Sequence, residues 1–117
     1  MILAKGQGAS PGRATGTLAL SSQAVSDLTA RGTPAIYVRN EMDAEDVSTI
    51  RACVGIVIAR GGITADGAIA ARSLGKPCIV GCSTLIVTAT EIRAGDVRLF
   101  AGASITIDGT TGDIIKP

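Results

Sequence analysis

Apolar residues fall along this chain in short clusters, and the spacing inside each cluster changes character from one segment to the next. Thr15 to Leu20 alternates well enough for a half-buried strand, and the preceding Ala4-Lys5-Gly6-Gln7-Gly8-Ala9-Ser10-Pro11-Gly12 has extended, turn-rich chemistry. Ser21 or Ser22 can cap a helix running to Arg31, with Gly32 placed to end it. Ala35 to Val38 follows Pro34 as a short buried strand, and Asn40 to Asp43 supplies capping oxygens for a second helix with Ala44, Val47, Ile50 and Arg51 at helical spacing. Val54 to Ala59 is a β-branched run without alternation, which suits a central parallel strand covered on both faces. Gly61-Gly62 then turns the chain. From Thr64 the period becomes helical, with Gly67, Ala70, Ala71 and Leu74 on one face that is nearly bare of side chain.

Gly75 and Pro77 stop that helix, and Cys78 to Val80 is the next short strand. Leu85–Ala89, Val97–Phe100 and Ser104–Ile107 are strand-like segments separated by glycine-containing turns, and Asp108-Gly109 is the strongest hairpin signal in the chain. The order reads β-α-β-α-β-α-β, then antiparallel strands. It predicts a three-layer α/β fold over residues 1–117: a central, largely parallel sheet with helices on one side and a second, mainly antiparallel sheet. No repeat, low-complexity tract or linker divides the chain, so a single domain is expected.

Composition narrows the chemistry more than the fold. Of the 117 residues 46% are hydrophobic, yet one Tyr and one Phe are the only aromatics, so the core is aliphatic and stacking platforms for bases are lacking. Eleven basic against ten acidic residues leave +1, spread in ones and twos, which argues against nucleic acid and anionic membrane as partners. The longest apolar run, Ala52 to Ala59, is well short of the ~20 residues of a spanning helix, and Lys5 interrupts the N-terminus; a cytoplasmic location is expected. The chain has no histidine, which removes the commonest general base, the usual zinc ligand and any phosphohistidine. Cys53, Cys78 and Cys82 form no CxxC pair, so they read as small buried thiols, with neither disulfide nor metal site expected. A mean hydropathy of +0.41 is compatible with a covered surface, and so with self-association, or with a small-residue α/β core.

The chemistry-bearing stretch runs from Arg60 through Gly61, Gly62, Ile63, Thr64, Ala65 and Asp66 to Gly81. A strand, a glycine turn and a helix in that order present first-turn amides at the strand's carboxyl end, where anions bind. Gly61, Gly62, Thr64, Ala68, Ala71, Arg72, Leu74, Gly75, Pro77, Val80 and Gly81 stand in register with a known pattern, Gly-Gly-x-Thr-Ser/Cys-His-Ala/Gly-Ala, then Ala-Arg, Leu-Gly-x-Pro and Val-Gly. The chain thereby resembles the swivelling phosphohistidine domain of the phosphoenolpyruvate-utilising enzymes, chiefly of the pyruvate phosphate dikinase type. Ala9-Ser10-Pro11-Gly12, Val38 to Asp46 and Asp108-Gly109-Thr110-Thr111-Gly112 extend the likeness over nearly the whole sequence.

The resemblance implies a swivelling β/β/α fold and a histidine that takes a phosphoryl group at one active site and delivers it at another. Its partners would be an ATP-grasp nucleotide-binding domain and a phosphoenolpyruvate/pyruvate-binding domain, in cis or in trans. Mg and ATP or phosphoenolpyruvate would belong to those partners, and no cofactor is expected on this domain. The carrier's position, however, is Asp66, preceded by Ala65. Asp66 admits three readings: a first-turn aspartate favouring the helix N-terminus, a fixed negative charge that mimics a phosphorylated histidine, or an aspartyl-phosphate nucleophile. Gly61, Gly62, Thr64 and Arg72 are the candidate anion-binding residues; Thr64 reads more strongly as helix N-cap, and Arg72 equally as the partner of a surface carboxylate. The function expected is that of a swivelling-type domain of a phosphotransferase that does not itself carry phosphoryl groups; the alternative is a free-standing docking, regulatory or assembly module.

Overall fold

The first dozen residues form two short strands, β1 (Ile2–Lys5) and β2 (Gln7–Ser10), hinged at Gly6. This emerges from a computed structural model that describes residues 1–63 and 65–117. Next come β3 (Arg13–Ala19), α1 (Ser22–Ala30), β4 (Ala35–Arg39), a 3-10 turn at Ala44–Asp46 leading into α2 (Val47–Ala52), β5 (Gly55–Ile58), α3 (Asp66–Leu74) and β6 (Cys78–Val80). The last third holds β7 (Ile86–Val87), β8 (Glu91–Ala94), β9 (Val97–Phe100), β10 (Ser104–Asp108) and β11 (Asp113–Ile115). The element ends follow local chemistry. Ser21 Oγ accepts the Ala24 amide to cap α1, and Asp43 and Asp46 form a reciprocal capping box before α2. Gly75 closes α3 at φ 68°, a conformation cheap only for glycine.

Strands β3, β4, β5 and β6 run parallel in chain order, joined by α1, α2 and α3. Strand β10 pairs antiparallel with β3, and with β11 through the Asp108 hairpin; β11 pairs with β1, and β2 with β6. The eight-stranded order is β1-β11-β10-β3-β4-β5-β6-β2, and its two ends are consecutive in the chain with only Gly6 between them. The β1–β2 segment therefore draws the two ends of the sheet together, with the Gly6 amide on the Gly112 carbonyl and Gly8 pressed against Gly109. Its concave side holds Leu18, Ile36, Val57, Ile79, Ile105, Ile107 and Ile114, plugged by Leu85, Ile92 and Leu99 of the segment around the small β7-β8-β9 sheet. Its convex side packs Tyr37, Ile56, Ile58, Cys78 and Val80 against Val25 and Leu28 of α1, Ile50 of α2 and Ala68 and Ala71 of α3. Each large aliphatic side chain so buried contributes about 1.5–3 kcal/mol of transfer free energy.

The three-layer expectation is met, with one refinement. The antiparallel strands β10 and β11 continue the parallel sheet through β3, and the separate sheet is the small β7-β8-β9 unit. Leu85–Ala89 shrinks to a two-residue strand, because Thr88 Oγ1 takes the Thr90 and Glu91 amides and bends the chain.

Candidate functional site

Strand β5 is buried at every residue and delivers the chain to the carboxyl edge of the parallel strands, where Arg60-Gly61-Gly62 turns toward α3. Gly61 is required by closeness: a Cβ there would lie 2.6 Å from Ile58 Cγ2. Gly67, in the first turn of α3, is similarly pressed, since a Cβ on it would stand 2.8 Å from Ile58 Cδ1 and 2.9 Å from Met42 Cβ. The bare face of α3 therefore seats its N-terminus directly on the strand. Gly62 differs, since nothing lies within 4 Å of its Cβ position and its backbone is exposed. It is open to whatever approaches from outside.

Helix α3 begins at Asp66, and its N-cap is Ala65, whose side chain offers no capping bond. The cap position thus falls one residue beyond the Thr64 expected from sequence; Thr64 itself lies outside the described residues. The Ile69 amide reaches the Ala65 carbonyl at 3.0 Å, leaving the amides of Asp66 and Gly67 without acceptors among the described residues. Asp66 is exposed at this positive end, where a carboxylate is favoured by about 0.3–1 kcal/mol. Ile63 and Ile69 flank it with 44% and 48% of their surfaces exposed.

Arg72 joins the site by a route that sequence reasoning did not foresee. Its Nη2 donates to the Ile63 carbonyl at 2.7 Å and its Nη1 to the Ala9 carbonyl at 3.2 Å. The guanidinium staples Ile63 to strand β2, and among the described residues it meets no carboxylate within 4 Å. In place of the surface acid, the guanidinium takes backbone carbonyls. Arg72→Ala is expected to cost about 0.5–2 kcal/mol in urea unfolding and to speed amide exchange around Ile63, with only partial recovery in Arg72→Lys, since one ammonium does not reproduce the fork.

Gly61, Gly62, Asp66 and Arg72 thus gather at one edge, whereas the opening and closing motifs meet at the amino end of β6, beside Pro77 and Cys78. The Gly109 amide donates to the Gly12 carbonyl at 2.7 Å and the Gly12 amide to Thr110 Oγ1 at 3.1 Å. Asp108 accepts the Thr110 and Thr111 amides, which hold its carboxyl below the usual range with help from Arg13. Among the described residues no group of three or more His, Cys, Asp or Glu side chains is placed to hold a metal ion.

The three thiols are buried, and desolvation pushes Cys53 and Cys82 up to about 11 and Cys78 to about 12 from an ordinary 9.0. They supply no nucleophile. The folded chain is expected to react with a disulfide reagent at about pH 8 at least ~100-fold more slowly than the urea-unfolded chain. Because the folded values lie above the unfolded one, this source of stability is full below pH 9.0 and is lost as pH rises toward about 11–12, so the urea midpoint should fall across that window.

Comparison with known proteins agrees with this geometry. Residues 32–112 match the family model described as PEP-utilising enzyme, mobile domain. The chloroplastic pyruvate, phosphate dikinase of Mesembryanthemum crystallinum is 38% identical over 116 residues, covering 97% of this chain and 12% of that protein. The pyruvate, phosphate dikinase of Rhizobium meliloti is 38% identical over 117 residues, 98% of this chain and 13% of its own length. The chain therefore spans about an eighth of these relatives, which carry other domains in the same polypeptide. Among solved structures, Thermococcus kodakaraensis aconitase X in its holo-form superposes with a TM-score of 0.54 at 15% identity, over 97% of this chain and 98% of that one, a likeness of fold alone. Sequence pattern, mixed sheet and helix-backed glycine turn lead to one conclusion: this chain belongs to the mobile-domain family of the PEP-utilising enzymes.

Proposed function

We propose that this chain is a swivelling module of a dikinase-like phosphotransferase that docks on its partner domains without carrying a phosphoryl group covalently. The observation that carries the reading is Asp66, an exposed carboxylate at the first turn of α3 in a chain with no histidine. An imidazole nitrogen is both a good nucleophile and a good leaving group, which is what a carrier needs. A carboxylate repels an incoming polyphosphate, and the acyl phosphate it would form is prone to hydrolysis. Asp66 instead provides a permanent negative charge where a phosphorylated carrier would sit, with exposed Ile63 and Ile69 beside it as apolar contact area. Arg72 ties Ile63 to strand β2, and Gly62 leaves its backbone accessible.

The partners are a nucleotide-binding domain of ATP-grasp type and a phosphoenolpyruvate/pyruvate-binding domain, in cis or in trans, and Mg and ATP or phosphoenolpyruvate bind to them. The share of the dikinases that this chain covers supports that assignment. Intact mass after incubation with such partner domains and ATP or phosphoenolpyruvate tests it: no gain of ~80 Da is expected, and a gain mapped to Asp66 would establish the aspartyl-phosphate reading instead. The exposed isoleucines also suit a free-standing docking or assembly module. That reading predicts protein binding indifferent to nucleotide and phosphoenolpyruvate.

A further inference from the structure

The small β7-β8-β9 sheet turns one face into the core and leaves the other outside. Val87, Ile92, Ala94, Val97 and Leu99 point inward, in or against the core on the concave side of the large sheet. Side chains alternate along a strand, so Ile86, Glu91, Arg93, Arg98 and Phe100 stand on the opposite face. The register assembles them into two rows: Ile86, Arg93 and Arg98 are cross-strand neighbours, and Glu91 lies opposite Phe100. The helices cover the convex side of the large sheet, so this outer face looks away from them and is separate from the Asp66 edge.

Two features mark the face as a place of contact. Phe100, the chain's single phenylalanine, is 60% exposed and Ile86 is 42% exposed, although the core is short of large side chains. The second feature is charge. The Thr88 amide donates to the Glu91 carbonyl at 2.9 Å and the Ala101 amide to the Thr90 carbonyl at 3.0 Å. Arg93/Arg98 and Glu91/Phe100 are therefore the non-hydrogen-bonded pairs of β8 and β9, in which opposed side chains stand closest. Like charges directly opposite each other destabilise a sheet unless something neutralises them. Glu91 does so for Arg98, at 3.6 Å, whereas among the described residues Arg93 has no carboxylate within 4 Å. The Glu91 side chain is 18% exposed and that of Arg98 52%, so what the face presents outward is guanidinium. Its occupant must bring negative charge and carbon together. A second copy of the face does not, since a two-fold axis through it would bring two arginine pairs together. Nucleic acid and anionic membrane call for broader positive charge than two adjacent side chains. An acidic stretch of protein fits, because carboxylates match the planar forks and apolar side chains cover the exposed carbon.

We infer that the outer face of the small sheet docks an acidic segment of a partner protein, with carboxylates on Arg93 and Arg98 and apolar side chains against Phe100 and Ile86. The test titrates the full chain with the peptide acetyl-Glu-Leu-Glu-Glu-Leu-Glu-amide, and separately with the same peptide carrying lysine for each glutamate, while backbone amide shifts are followed by two-dimensional NMR. The acidic peptide is expected to give saturable shifts at Ile86, Arg93, Arg98 and Phe100 with a Kd of about 0.3–3 mM at low salt, weakened at least about threefold by ~0.2 M salt. The lysine peptide should bind at least about tenfold more weakly at the same amides. Arg93→Gln combined with Arg98→Gln should weaken the acidic peptide by about tenfold or more and Phe100→Ser by roughly three- to tenfold, whereas Arg51→Gln, on α2, should leave it unchanged. Equal binding of the two peptides, an unchanged response in the arginine double variant, or no saturation by about 20 mM would each overturn the assignment. Concentration-dependent shifts at these amides without any peptide would overturn it in favour of self-association. Should the arginine double variant disturb the fold, Phe100→Ser and the preference for the acidic peptide in the unmodified chain decide the matter.

Discussion

The double variant Asp66→His with Ala65→Ser gains ~80 Da when incubated with ATP, Mg and inorganic phosphate beside a dikinase whose own carrier histidine has been replaced, while the unmodified chain gains nothing. This is the largest functional change expected from two substitutions here. The geometry favours it. Asp66 is exposed at the first turn of α3, so there is room for an imidazole there, beside the Asp66 and Gly67 amides that have no acceptor among the described residues. Ala65 is the N-cap without a capping side chain, and serine supplies one worth about 1 kcal/mol. The added mass should be lost in acid and survive base, as a phosphoramidate does and an acyl phosphate does not. If the double variant stays unmodified although its fold is intact, the chain lacks the docking contacts as well as an imidazole, and the proposed partnership with dikinase-type domains loses its support.

Gly109→Ala is expected to produce the largest loss of stability. A Cβ at Gly109 would overlap the Ser10 carbonyl oxygen and approach the Cys78 amide nitrogen at 2.9 Å, so the obstacle is backbone on both β2 and β6. Neither strand can retreat without opening the place where the ends of the sheet meet. A cost on the order of 3–5 kcal/mol follows, a large fraction of the stability of a domain this size. Gly102→Ala is the control: its φ of +96° is strained for alanine but nothing lies within 4 Å, and about 1 kcal/mol is expected. Urea unfolding of both variants checks the contrast. Equal costs would mean that the close approach at Gly109 does not hold the sheet together.

The helical half was legible because each device is local. Ser21 caps α1, Gly75 ends α3, and the apolar Val54–Ala59 run contains a strand buried on both faces, as its lack of alternation predicts. The site was legible in part. Gly61-Gly62 and Asp66 can be read from a strand, a turn and a helix in succession, but the acceptors of Arg72 cannot. One is the carbonyl of Ala9, 63 positions away, and a carbonyl oxygen has no residue identity by which to announce itself. The outer face of the small sheet was invisible for a similar reason, since only the cross-strand register sets Arg93 beside Arg98.

Strands β1 and β2 show the division most plainly. Gln7-Gly8-Ala9-Ser10 has neither β-branched residues nor alternation, yet it pairs with β6 and draws the ends of the sheet together. What the amino-acid order determined by itself was the period of each element, its caps and its aliphatic core, because these depend on side chains within a few residues of one another, together with the absence of histidine. What only the tertiary structure decided was the meeting of the sheet's ends at Gly6, Gly8 and Gly109 and the stapling by Arg72. Those rest on backbone groups brought together from distant positions, and backbone amides and carbonyls are the same in every sequence.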